Sequence, residues 1–86
     1  MVARTASLQK ISDVKYYGWA VYTVQVSQND TVPLSDFDSS LELSKAVLMK
    51  ESDGMEVACT KSLNVVTVTG SGTNMNCVLF VYGVKA

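Results

Sequence analysis

The sequence predicts an all-β domain, a small sandwich or partly open barrel of about six strands. Three observations carry that reading. Runs rich in Val, Thr and Tyr recur at a spacing of about ten residues, each bounded by turn formers. "WAVYTVQVSQ" (Trp19–Gln28) alternates with the period of two expected of a strand. An Asp-Gly pair, Asp53-Gly54, stands between two apolar runs, as in a hairpin. At 86 residues the chain is one domain, 1–86.

In chain order, residues 1–15 are expected to form an extended N-terminal arm or an edge strand, with strand character from Ala3 to Ile11. Trp19–Gln28 follows, with Ala20, Tyr22, Val24 and Val26 on one face and Thr23, Gln25 and Ser27 on the other. "QND" is a turn, because Asn and Asp tolerate left-handed backbone. Pro33 bars a central strand, since it has no N–H to give a ladder. The stretch "LSDFDSSLELS" has two readings. Ser39 with Glu42 fits a capping box and Gly54 a helix C-cap, which allows a helix over Ser39–Ser52. The favoured reading is one helical turn near Ser39–Leu43, then strands Lys45–Glu51 and Met55–Lys61 joined at Ser52–Gly54. Asn64–Gly70 is β-branched and reads as a strand. "SGTNMN" is a loop, and Asn76–Val84 closes the chain.

That closing strand sets the puzzle of the sequence. Val78, Phe80, Tyr82 and Val84 lie on one face, and Cys77, Leu79 and Val81 on the other. A strand with one wet face should be polar on every second residue. A second layer of the same chain or a partner chain must cover the other side. Trp19 and Val21 point opposite the core face of their own strand, and "KYYGW" places Tyr16 and Tyr17 just before them. Tyr and Trp suit surfaces that are apolar at one end and wet at the other. Tyr16, Tyr17, Trp19 and Val21 are therefore candidate partner contacts. A Trp at a strand start can instead close the end of a sandwich core.

Composition narrows the chemistry. Net charge is −1, so there is no basic excess to neutralise phosphates, and no nucleic-acid partner is expected. Arg4, Lys10 and Lys15 against Asp13 make the start basic, and Arg4 is a candidate for charge steering. Asp30, Asp36, Asp38, Glu42, Glu51, Asp53 and Glu56 against Lys45 and Lys50 make the middle acidic. Such halves suit head-to-tail pairing of subunits, or simply a solvated loop and hairpin. No apolar run reaches the roughly 20 residues of a membrane span, and the start has no apolar core of a signal peptide.

With no histidine and no base beside either cysteine, no catalytic site and no cofactor are expected. Gly70–Gly72 lacks the Lys-Ser/Thr of a phosphate loop. Asp36, Asp38 and Ser40 begin like a calcium loop, but Leu41 stands where Gly is needed and Val47 where Glu is needed. No metal site is expected. Cys59 and Cys77 are expected to be free and shielded, on next-but-one strands of a meander, roughly 9–10 Å apart and too far to bridge.

The run from Tyr22 to Ala86 has a Val/Thr strand, a short acidic turn, a "DG" hairpin, "VVTVTG" and a closing apolar strand just past "YG". In this it resembles the small all-β virion proteins of tailed bacteriophages, namely capsid decoration (cement) proteins and head or tail accessory proteins. The resemblance implies a non-enzymatic assembly role in the virion, on the major capsid protein or another virion protein. It also implies a homo-oligomer, for which three-fold symmetry is the expectation, assembled in a host cytoplasm. It assigns no site residue. The competing reading is a carbohydrate-binding or adhesin-type β-sandwich module, with Trp19, Tyr16 and Tyr17 as the sugar platform.

Overall fold

The computed structural model describes residues 2–11, 17–35 and 43–84, with the side chains of Tyr17 and Val84 excepted. Every regular element among them is a strand: β1 (Ser7–Ile11), β2 (Tyr17–Val26), β3 (Thr31–Pro33), β4 (Lys45–Lys50), β5 (Glu56–Val57), β6 (Cys59–Ser62), β7 (Val65–Val68) and β8 (Met75–Val84). They form two antiparallel sheets, five-stranded β1-β2-β8-β4-β5 and three-stranded β3-β7-β6.

The all-β sandwich expected from the sequence is present, with eight strands in place of about six. Two differences account for the excess. The stretch read as one strand, Met55–Lys61, is two strands in different sheets. The chain turns a corner at Ala58, whose carbonyl accepts from the N–H groups of both Thr69 and Gly70 at 2.9 and 2.8 Å. Two donors on one carbonyl leave Ala58 outside either ladder. The second difference is β3, which Pro33 does not abolish but confines to the border of its sheet, where β7 is its one strand neighbour and its other side takes an isolated bridge from Ala3. The helical turn expected near Ser39–Leu43 lies outside the described residues except for Leu43. That residue is not helical; its N–H donates to the Leu63 carbonyl at 2.9 Å.

Long β2 and β8 form the spine, in register from Tyr17↔Val84 to Val26↔Met75. Their inner faces supply Ala20, Tyr22, Val24 and Val26 from β2 and Cys77, Leu79 and Val81 from β8, all buried. Leu48 and Val57 add to this layer, and Val32, Val66 and Val68 oppose it from the second sheet. At one end the core is closed by Leu43, 1% exposed, which passes over Gly83. A Cβ at Gly83 would lie 3.1 Å from the Leu43 Cα, so glycine permits the approach.

The meander placement of the cysteines is corrected by the crossover. Cys59 lies on β6 of the three-stranded sheet and Cys77 on β8 of the five-stranded one, because the chain changes sheets at Ala58. Both thiols are free.

Candidate functional site

The outer face of the five-stranded sheet is ordered by its registers. Trp19 faces Tyr82, which faces Lys45; Val21 faces Phe80, which faces Val47; Thr23 faces Val78, which faces Met49; Gln25 faces Asn76. Side chains alternate on a strand, so each set of neighbours projects from the same side. The first three rows carry an apolar and aromatic surface across the three central strands. Phe80 is 38% exposed, Met49 39% and Tyr82 45%, while Trp19, Val21, Val47 and Val78 are half-buried.

The Trp19 and Phe80 rings sit diagonally across the β2–β8 pair. Their centroids are 6.3 Å apart with planes inclined by 21°, a displaced near-parallel arrangement. Lys10 is paired with Val21 from β1 and Lys45 with Tyr82 from β4, and both are exposed. Cationic groups thus flank the aromatic end. Toward the other end the face turns polar: Gln9 Nε2 donates to Thr23 Oγ1 at 3.1 Å and Gln25 Nε2 to Asn76 Oδ1 at 3.4 Å.

Of the candidates named from the sequence, the structure brings Trp19 and Val21 together on this face. Tyr17 is described only in its backbone, paired with Val84, and Tyr16 lies outside the described residues. Arg4 is elsewhere. It sits by Ser27, at the far end of β2 from Trp19, about 26 Å along the strand at 3.3 Å per residue. Its guanidinium is occupied in its own chain, with Nε 2.7 Å from Asp30 Oδ2.

Phe80, Tyr82, Met49 and Val47 were not singled out as contacts by sequence reasoning. The signal was present in the two-sided apolar character of β8 and β4. What was missing was the strand order, which sets β8 between β2 and β4 and so merges three separate stripes into one surface.

The acidic loop residues Asp36 and Asp38 lie outside the described residues. Among the described residues no three His, Cys, Asp or Glu side chains come together as metal ligands, and no helix is long and apolar enough to cross a membrane. No protein-family model, curated protein or solved structure matches the chain.

Proposed function

We propose that this chain is a non-enzymatic structural protein of a bacteriophage particle, a decoration protein that lays the outer face of its five-stranded sheet on the capsid lattice and stabilises it. The observation that supports this most is the surface of exposed Phe80, Tyr82 and Met49 around half-buried Trp19 in the middle of the larger sheet. Small domains seldom leave contiguous aromatic and aliphatic side chains exposed in this way unless a partner covers them. The major capsid protein or another virion protein is the proposed partner, with acidic groups to meet Lys10 and Lys45 at the flanks. A homo-oligomer, with three copies around a symmetry axis, fits a lattice site. Affinity in such a contact concentrates in a few aromatic anchors.

The test is binding to purified capsids that lack their decoration protein, with the parent and Trp19→Ala. The variant is expected to lose about 2–4 kcal/mol of binding as an interface anchor, with a melting temperature near that of the parent. A parent that does not bind any such shell sinks the proposal. A variant that melts far earlier returns Trp19 to a role in closing the core.

A second reading draws on the Trp19–Phe80 pair. Near-parallel rings on an open sheet face suit stacking against a sugar ring, as in a carbohydrate-binding or adhesin-type module. Retardation of the parent, but not of Trp19→Ala, in a polysaccharide affinity gel would favour that reading over the shell.

A further inference from the structure

Residues 2–11 touch both sheets yet bury little. Ala3 makes a single parallel bridge to Thr31 at the border of the three-stranded sheet. The Arg4 N–H donates to the Thr31 carbonyl at 2.7 Å, and the Thr31 N–H to the Val2 carbonyl at 2.9 Å. The chain then crosses to the larger sheet, where β1 runs along β2. Ser7, Leu8, Gln9 and Lys10 are exposed, and the register slips between Leu8 and Lys10. Of residues 2–11 only Ala6 and Ile11 pack against the core, both partly. An open groove lined by Thr5, Ala6, Pro33 and Leu34 lies beneath this segment. Segments with so few apolar contacts open at a fraction of the global free energy.

Besides these backbone bonds and the β1–β2 ladder, the start of the segment is held by one carboxylate. Asp30 is 3% exposed. Its Oδ2 accepts from Arg4 Nε at 2.7 Å and from the Ser27 N–H at 2.9 Å, and its Oδ1 accepts from the Val2 N–H at 3.2 Å. Arg4 Nη2 reaches on to Asn74 Oδ1 at 3.1 Å. The main chain of Asp30 belongs to the core, since its carbonyl accepts from the Val68 N–H of β7 at 2.8 Å. The carboxylate is therefore anchored independently of the segment it holds.

The geometry points to residues 2–11 as a strap that detaches as a unit from a sandwich that stays folded, with the Asp30 carboxylate as its latch. Opening uncovers the side of β2 that β1 covers and the Thr31 N–H and carbonyl. Among the described residues Arg4 is the one charged side chain facing Asp30; Ser27 from the β2–β3 turn and Asn74 from the β7–β8 loop are neutral. The Ser27 N–H and the Arg4 guanidinium hold the Asp30 carboxyl below its ordinary value of 3.8, against the opposing push of burial. A carboxyl depressed on folding stabilises fully above its unfolded value and loses that contribution as pH falls through the folded one. The latch is thus at full strength at neutral pH and loses its contribution as acid protonates the Asp30 carboxylate.

The test is amide hydrogen exchange, read as protection factors, on the parent and Asp30→Asn at neutral pH. The variant is expected to lose protection at Arg4, Thr31 and the β1–β2 ladder while Leu79 and Val81 in β8 keep theirs. Unchanged strap protection overturns the latch. Loss of β8 protection in step with the strap overturns its independence. If Asp30→Asn does not fold, Arg4→Gln decides, because it leaves the bonds from Ser27 and Val2 to Asp30 in place. Strap opening over a protected β8 supports the proposal, and a closed strap or a co-opening core overturns it.

Discussion

The two faces of β8 are nearly equal in chemistry and opposite in fate. Cys77, Leu79 and Val81 are each 0% exposed, beneath the second sheet; Phe80 and Tyr82, between and beside them, are 38% and 45% exposed. Hydrophobicity alone did not decide which side became core. The inner face gained a partner layer because β3 and β7 bring Val32, Val66 and Val68 over it. No described element lies over the outer face, and it retains the larger rings.

The largest test of that contrast compares neighbours in sequence. Leu79→Ala removes a side chain that is wholly enclosed, and is expected to cost about 2–5 kcal/mol through lost transfer energy and the cavity left behind. Phe80→Ala loses its pairing with the Trp19 ring and part of its burial, and is expected to cost about 1–2 kcal/mol, less than Leu79→Ala although its ring is the larger. Denaturant unfolding of the two variants measures both. Equal costs would mean that the outer face is as integral to the fold as the inner one, and the surface reading of Phe80 would fail.

The next test sharpens where the inner face comes from. The second layer exists because the chain leaves the larger sheet at Ala58, and Gly70 packs directly on that corner. A Cβ at Gly70 would lie 2.8 Å from Val57 Cγ1 and 2.9 Å from the Ala58 nitrogen. Backbone cannot move aside as a side-chain tip can. Gly70→Ala is expected to cost about 1–3 kcal/mol, the range of overpacking. The loss should appear as a lower midpoint with the slope of the transition kept. A neutral outcome would show the corner to be loose, and the separation of β5 from β6 with it.

Much of this was legible in the sequence, and the limits have physical causes. The alternation of Trp19–Gln28 gave the core face of β2 residue by residue, because period-two patterning reports burial directly. The Asp53-Gly54 turn holds as a hairpin: Gly54 has φ 70°, and the Lys50 N–H donates to the Met55 carbonyl at 3.0 Å. The crossing at Ala58 was not legible, since a strand continuing in one sheet and a strand turning into another look alike in composition. The patch around Phe80 depends on strand order, which is a long-range property. Arg4 looked like a free charge for steering, and only the fold reveals Asp30 beside it, 26 residues along the chain.

The smallest expected effect is a rate, and it reports on both faces of β8 at once. Cys77 is enclosed, and burial, with the nearby Glu51 charge second, raises its thiol above the ordinary value of 9.0. Cys59 is half-buried, and burial first and Glu56 second raise it as well. Thiolate is the reactive form, so a raised pKa slows both thiols at neutral pH, and enclosure blocks Cys77 further. A thiol reagent is expected to label Cys59 slowly and Cys77 only at the rate at which the sandwich opens. Phe80→Cys supplies the comparison, since it places a thiol three residues further along β8 on the outer face. Peptide mass mapping over time should then give the order 80, 59, 77. Labelling of Cys77 as fast as position 80 would mean that the inner face opens without unfolding, and the distinction between the two faces would be one of degree.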